Sequence, residues 1–150
     1  MKIIIDADGC PVVAITVQLC KKFHIPCTIV CDTAHQFQLD DVEVITVDKG
    51  SDSADYTIAN KVITDDLVIT QDYGLASMCL ARGARVLHQD GWEYNSYNID
   101  ALLIQRHESY KYRASGKRMK GPKKRTVDQD KAFTVALQTI LQGYTSGGNR

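Results

Sequence analysis

The stretch that decides the fold is Ile3-Ile4-Ile5-Asp6-Ala7-Asp8, and Leu67-Val68-Ile69-Thr70-Gln71-Asp72 repeats its pattern. Each is a short apolar run that ends in aspartates. A run that is apolar throughout, rather than alternating, is typical of a parallel strand buried on both faces. Two further aspartates lie in Gly50-Ser51-Asp52-Ser53-Ala54-Asp55. Open parallel sheets bind ligands outside the carboxyl ends of their strands. We therefore expect these aspartates to meet in one cleft.

The clustering of carboxylates indicates a metal site. Carboxylates held close together raise one another's pKa unless a cation intervenes. Mg²⁺ and Mn²⁺ prefer oxygen ligands of this kind. A central first strand would bring Asp6 and Asp72 within metal-binding distance, and Asp8 would face the same crevice. Asp52 and Asp55 open a helix, where a carboxylate is favoured by the helix dipole. Helix capping is the alternative role for Asp8 and Asp52.

The apolar patterns predict a single three-layer α/β domain with a central, mostly parallel sheet of about five strands and two C-terminal helices. Strands are predicted at residues 2–6, 27–31, 42–47, 67–70 and 84–87, and helices at 11–23, 54–62, 73–82, 98–110 and 126–142. Asn98 is the predicted cap of the fourth helix. Thr126-x-x-Gln129 has the capping-box pattern, and Gly143 is the predicted end of the last helix. The domain would span residues 1–142, with 143–150 a disordered tail.

Length and composition fit one soluble globular domain. The chain has 150 residues, of which 44% are hydrophobic and 24% are charged, as is ordinary for such domains. No apolar run approaches the roughly 18–20 residues of a membrane span, so we expect no membrane partner. Five cysteines without a paired framework, and no secretory signal, favour a reducing cytoplasm. The sequence leaves open whether the chain forms a homo-oligomer.

The charge is distributed unevenly along the chain. Residues 106–125 hold nine Lys or Arg and one acid, Glu108, whereas the rest holds nine basic and seventeen acidic residues. A basic stretch with Tyr110 and Tyr112 is typical of a segment that follows phosphates and stacks on bases. We expect the loop at 111–125 to be mobile and to bind a polyanion such as a nucleic acid; a solvated basic loop is the alternative. The predicted nucleic-acid contacts are Arg113, Lys117, Arg118, Lys120, Lys123, Lys124 and Arg125.

Other chemistries have weaker support. A zinc site at His24, Cys27, Cys31 and His35 is disfavoured, because two ligands four residues apart on one strand lie about 13 Å apart. Cys10 lies at a predicted helix start, which can lower a thiol pKa, but no His is placed to activate it. The chain has neither a Walker loop nor a Gly-rich dinucleotide motif. Asp65 and Asp66 are predicted to be ordinary turn acids at the opposite pole of the sheet.

Four stretches together resemble the YaiI/YqxD family of bacterial proteins, over residues 1–142. They are Ile-Ile-Asp6-Ala-Asp8-Gly-Cys-Pro11-Val, Gly50-Ser-Asp52-Ser-Ala-Asp55-Tyr-Thr-Ile-Ala, Asp66-Leu-Val-Ile-Thr-Gln-Asp72-Tyr-Gly-Leu-Ala, and the basic Gly121-Pro122 stretch. That family is similar in turn to the PIN-like nuclease superfamily. Its first-strand Asp matches Asp6, its Asp-x-x-Ile-Ala helix start matches Asp55-Tyr-Thr-Ile-Ala, and its Thr-x-Asp matches Thr70-Gln-Asp72.

The resemblance implies a nuclease that uses Mg²⁺ or Mn²⁺ to hydrolyse RNA phosphodiester bonds. Asp6, Asp55 and Asp72 would bind the metal, Asp8 and Asp52 would support them, and Asp6 and Asp72 would be catalytic. PIN domains commonly supply a further Glu from a middle helix. This sequence has none there, since Glu43 falls in a predicted strand. Asp8 or Asp52 would then replace it, or the site would be catalytically reduced.

Two other functions remain open at this point. The first is a catalytically silent RNA-binding or regulatory module that retains the acidic cleft. The second is a phosphatase of the haloacid-dehalogenase type, because Asp6-Ala-Asp8-Gly resembles the Asp-x-Asp-Gly motif of those enzymes. There Asp6 would be the nucleophile and Asp8 the general acid. Cys10 and Pro11 depart from the residues that usually follow that motif.

Overall fold

A computed structural model describes residues 1–32, 37, 39, 41–50, 53–116 and 124–146. The elements follow in the order β1 (Ile3–Asp6), α1 (Val13–Phe23), β2 (Cys27–Asp32), β3 (Glu43–Val47), α2 (Ser53–Lys61), β4 (Leu67–Ile69), α3 (Tyr73–Ala81), β5 (Arg85–Leu87), β6 (Glu93–Tyr94), α4 (Ser96–Ala114) and α5 (Val127–Ser146). The predicted α/β class is confirmed. Each of the five predicted strands is present within one residue of its predicted bounds.

One sheet runs through the described part of the chain in the order β3-β2-β1-β4-β5-β6. All neighbours are parallel except β5 and β6, which form an antiparallel pair. The first strand is central, as predicted. The chain builds β2 and β3 on one side of β1 and then returns to build β4 on the other. In doubly wound sheets this reversal opens a crevice at the carboxyl ends of the two strands.

The sheet is covered on both faces, which explains its nearly continuous apolar strands. Successive side chains of a strand point to opposite faces. Ile3 and Ile5 therefore pack with α1 and α5, including the fully buried Phe133. Ile4 points the other way and packs with α2, α3 and the start of α4, where Ile99 is buried. The two cores make the molecule the three-layer domain that the sequence predicts.

The middle of the chain differs from prediction in two details, an additional strand and the residue that caps α4. A sixth strand, β6, forms a hairpin with β5. It is only two residues long, too short for the sequence pattern to predict it. Asn95, not Asn98, caps α4; its side chain accepts hydrogen bonds from the Tyr97 and Asn98 amides, at 2.8 and 2.9 Å. Asn98 is the third helical residue of that capping box and bonds back to the Asn95 amide at 2.9 Å.

The last helix is longer than predicted. The Thr126–Gln129 capping box is confirmed, since the Thr126 amide donates to Gln129 Oε1 at 2.7 Å and the Gln129 amide donates to Thr126 Oγ1 at 3.3 Å. However, α5 continues through Gly143 to Ser146. A glycine ends a helix only where the backbone turns left-handed, and Gly143 stays helical. Of the predicted tail, residues 147–150 lie outside the described residues.

Asp66 is not the ordinary turn acid that the sequence predicts. It is buried, and it accepts hydrogen bonds from the Lys2 amide at 3.1 Å, the Lys2 ammonium at 2.6 Å and the Ile63 amide at 3.0 Å. Burial alone raises the pKa of Asp66, but these hydrogen bonds outweigh it and hold that pKa below its usual value. Asp66 thus ties the start of β1 to the turn before β4, at the pole away from the aspartate cleft.

Candidate functional site: the acidic cleft

Asp6 is the central carboxylate of the cleft. It is the last residue of β1, and its strand lies between β2 and β4. The pKa of Asp6 is raised to about 6, mainly by burial and also by the charges of Asp55, Asp72 and Asp8, while a hydrogen bond from Thr70 acts to lower it. These three carboxylates are therefore near enough to Asp6 for their charges to act on it.

Thr70 connects the two strand ends. Its buried hydroxyl donates to Asp6 Oδ2 at 2.7 Å and accepts from the Asp72 amide at 3.0 Å. One side chain thereby fixes both the orientation of the Asp6 carboxylate and the bend of the chain after β4. Sequence reasoning placed Thr70 in a motif but gave it no role. The available signal was a polar residue ending an otherwise apolar buried strand.

Asp72 begins the helix that follows β4. Its Oδ1 accepts the Leu75 amide at 3.1 Å, so Asp72 is the N-cap of α3. This bond satisfies one of the amides that a helix start leaves without an intrahelical partner. The cap also fixes Asp72 at the mouth of the crevice between β1 and β4. Capping and a role in the cleft are therefore compatible.

Asp8 and Asp55 are two further carboxylates that raise the pKa of Asp6. Asp8 follows β1 and accepts the Asp32 amide through both carboxylate oxygens, at 3.1 and 3.3 Å. This places it beside the end of β2, and capping of α1 is not its role, because α1 has no side-chain cap. Asp55 lies in the first turn of α2, as predicted. Asp52 lies outside the described residues.

The turn after β1 brings the backbone close to the end of β4. Gly9 has φ of +71°, and a Cβ at this position would stand 3.5 Å from the Gln71 side-chain amide. Cys10 follows and is half-buried. Burial raises its pKa, and the charge of Asp6 raises it further. The thiol is therefore protonated at neutral pH, which agrees with the expectation that Cys10 is not an activated nucleophile.

The cleft offers carboxylate oxygens as ligands, because the groups whose charges raise the pKa of Asp6 are three further aspartates. Such ligands suit a hard divalent cation. The described carboxylates do not by themselves form a finished coordination shell. Within the described ranges no three His, Cys, Asp or Glu side chains stand together closely enough to hold a metal ion. A bound cation would have to draw Asp55, Asp8 or Asp72 toward Asp6.

The predicted nucleic-acid contacts fall into three groups. Arg113 lies on the exposed last turns of α4, which extends to Ala114 and so takes up the first residues of the predicted loop. Lys124 is exposed, but Arg125 is held by the protein: it donates to Asp90 at 2.8 Å and to Asp130 at 2.7 Å. Those that lie outside the described residues are Lys117, Arg118, Lys120 and Lys123.

Glu43 does not complete the cleft. It lies in a strand, as predicted, as the first residue of β3, and it pairs with Thr28 near the start of β2, at the amino end of the sheet. Its carboxylate accepts the Thr28 hydroxyl at 2.8 Å and pairs with Lys61 at 3.4 Å. Glu43 therefore has a structural role at the pole opposite Asp6.

The comparisons with known proteins identify the family. The family model described as "Uncharacterized BCR, YaiI/YqxD family" matches residues 4–143. The chain belongs to the YaiI/YqxD family. A UPF0178 protein of Exiguobacterium sibiricum is 45% identical over 145 residues, which are 97% of this chain and 99% of the relative. One of Alkaliphilus oremlandii is 46% identical over 133 residues, 89% of this chain and 86% of the relative.

A third YaiI/YqxD relative, a UPF0178 protein of Ruminiclostridium cellulolyticum, is 43% identical over 147 residues, 98% of this chain and 96% of its own. No solved structure matches the chain. None of the helices in the described part of this YaiI/YqxD protein has the length and apolar character that a membrane span requires.

Proposed function

We propose that the chain is a divalent-metal-dependent nuclease of the PIN-like type that hydrolyses RNA phosphodiester bonds at the acidic cleft. The observation that carries the proposal is that Asp55 of α2, Asp72 at the start of α3 and Asp8 in the turn after β1 all raise the pKa of Asp6, at the crevice between β1 and β4. Carboxylates packed this way destabilise the fold unless a cation offsets their repulsion. A binding role accounts for an arrangement that stability alone disfavours.

The residues of the cleft would divide the work. Asp6 and Asp72 would hold Mg²⁺ or Mn²⁺, and Asp55, Asp8 and Asp52 would support them. When bound, the cation would activate a water molecule and neutralise charge on the scissile phosphate. Thr70 would keep the Asp6 carboxylate in one orientation through its 2.7 Å hydrogen bond. A fixed donor geometry matters because catalytic groups lose efficiency when they are misplaced by even about 1 Å.

The test combines metal binding with hydrolysis. Mn²⁺ at about 100 times its Kd should stabilise the wild type by about 2.7 kcal/mol, a rise of roughly 5–10 °C in Tm for a chain of this size. Asp6→Asn and Asp72→Asn should lose both this shift and the hydrolysis of single-stranded RNA. Asparagine also caps helices, so Asp72→Asn should keep α3 intact.

Asp65→Asn is the matched control, because Asp65 is an exposed acid at the other pole of the sheet. It should retain the Mn²⁺ shift and the activity. Full activity in Asp6→Asn would contradict the proposal, as would a phosphate group transferred covalently to Asp6 from a phosphomonoester. RNA binding without hydrolysis by the wild type would favour the silent module instead.

A further inference from the structure

A groove lies beside the acidic cleft, between the start of α3 and the second half of α4. Its volume is about 320 Å³, and its lining is Tyr73, Gln105, Ser109, Tyr110 and Arg113. Tyr73 directly follows Asp72, the helix cap at the mouth of the cleft. Consecutive Cα atoms are about 3.8 Å apart, so the groove opens next to the proposed reaction centre.

The wall formed by α4 presents one continuous face. Gln105, Ser109 and Arg113 are spaced four residues apart, and side chains with that spacing lie above one another on a helix. They offer an amide, a hydroxyl and a guanidinium in a row. Ile99, Leu102 and Leu103 make the hydrophobic contacts of α4, in the first half of the helix. Arg113 supplies positive charge near its other end.

The second half of α4 has little contact with the rest of the described protein. The side chains of residues 104, 105, 107, 108 and 110–114 are exposed, including that of Tyr110 at 70%. An isolated helix of this length is marginal in water. Exposed aromatic and basic side chains on such a helix complement an anionic ligand that also carries aromatic rings.

The opposite wall is rigid. The Tyr73 ring packs edge-on against the buried Tyr94 ring, with centroids 6.1 Å apart and an interplanar angle of 63°. Tyr94 is 1% exposed and also contacts the rings of His88 and Trp92. A ring held by its neighbours loses little conformational entropy when another ring stacks on it.

We propose that this groove binds the nucleotide adjacent to the scissile phosphate of a single-stranded RNA, with its base against Tyr73 or Tyr110 and its phosphate on Arg113. The inference rests on the proposed function, because it names the part of the substrate that lies next to Asp72. A base inside a duplex has both faces already stacked and cannot use the tyrosines. The groove therefore selects single strands.

The test measures binding separately from cleavage. Binding of a fluorescent single-stranded RNA of about 8 nucleotides is measured by anisotropy in EDTA. Tyr110→Leu should weaken binding about tenfold, the effect of losing one stacked base. Arg113→Gln should weaken it and also lower the slope of log K against log salt by about 0.7, the contribution of one phosphate contact.

The controls come from the same helix. Tyr97→Leu removes an exposed tyrosine from the first turn of α4, away from the groove. Lys111→Gln removes a positive charge two residues from Arg113, which is about 200° around the helix. Both should bind RNA as the wild type does. All these side chains are exposed, so the variants should fold, and their helix content is checked by circular dichroism. Equal weakening by the control and the groove variants, or no binding by the wild type, would overturn the groove as a binding site.

Cleavage in Mn²⁺ then separates the two proposals. Binding that depends on Tyr110 and Arg113 in a wild type that cleaves no RNA supports the groove and contradicts the nuclease. Cleavage that the groove variants leave unchanged, in both rate and KM, supports the nuclease and overturns the groove. Tighter binding of duplex than of single-stranded RNA would also overturn it.

Discussion

At the scale of single residues, Asp6 is a carboxylate whose charged form is unfavourable in the folded protein. It is mostly buried, and Asp55, Asp72 and Asp8 add repulsion. The Thr70 hydroxyl compensates in part by donating a hydrogen bond to it. Natural proteins retain such destabilising groups at functional sites. Asp66 is the contrasting case, because its charge is matched by the ammonium of Lys2.

The raised pKa of Asp6 predicts how stability depends on pH. The folded state holds the Asp6 proton up to about pH 6, whereas the unfolded chain releases it near pH 3.9. The stability from protonated Asp6 is therefore complete below the unfolded value and is lost as pH rises through about 6. In EDTA, the free energy of unfolding of the wild type should fall by on the order of 2 kcal/mol relative to that of Asp6→Asn as the pH rises through these two pKa values.

Urea unfolding of both proteins at a series of pH values between about 4 and 7 measures this difference directly. Titrating groups remote from Asp6 cancel in the comparison, since the two chains differ only at that residue. Mn²⁺ should remove the difference by stabilising the charged form. A wild type and variant with parallel pH profiles would show that Asp6 ionises normally.

At the scale of elements, the strands depend on ties at both ends of the sheet. The cleft end is joined by the Thr70 hydroxyl, which bonds to Asp6 on β1 and to the chain after β4. The other end is joined by Asp66, which bonds to Lys2 before β1 and to Ile63 after α2. Only the first tie uses residues that the proposed chemistry needs.

Asp66→Asn tests the second tie. The substitution removes the ion pair with Lys2 and leaves one of the buried donors without its acceptor, which should cost roughly 1–3 kcal/mol. The same change at the neighbouring Asp65, which is exposed, should alter stability by less than about 0.5 kcal/mol. Chemical denaturation at neutral pH measures both. Equal effects of the two substitutions would mean that the Asp66 contacts contribute nothing beyond those of a turn acid.

At the scale of the whole molecule, α5 closes the face of the sheet opposite α3 and α4. Phe133, Leu137 and Leu141 are fully buried against the β1 side chains Ile3 and Ile5. The turn between β5 and β6 comes close to the start of this helix. Gly91 has φ of +94°, and a Cβ there would stand 2.7 Å from the Ala132 carbonyl oxygen. The helix, the hairpin and the central strand thus pack as one unit.

Phe133→Ala should therefore destabilise the domain as a whole. Removing a fully buried aromatic ring costs about 3–5 kcal/mol, while Val135→Ala on the exposed face of α5 should stay within about 0.5 kcal/mol. Thermal unfolding followed by circular dichroism compares the two. If Mn²⁺ still raises the Tm of Phe133→Ala, α5 supports the fold and has no part in the cleft.

The sequence by itself determined the α/β class, the central first strand and the aspartates at the ends of β1 and β4. It could do so because buried parallel strands need continuous apolar runs, and because the carboxyl ends of parallel strands share one edge. It also predicted the capping box at Thr126, which is a local pattern of four residues.

Only the tertiary structure decided which polar residues are partners. The bond between Thr70 and Asp6 joins residues 64 apart, and so does the pair of Lys2 and Asp66. No local pattern contains such a contact, since it depends on strand register. The same holds for Arg125, which forms an ion pair with Asp90 on a distant part of the chain, whereas its neighbour Lys124 is exposed. Burial and charge pairing are properties of packed elements, and they separate residues that look equivalent along the chain.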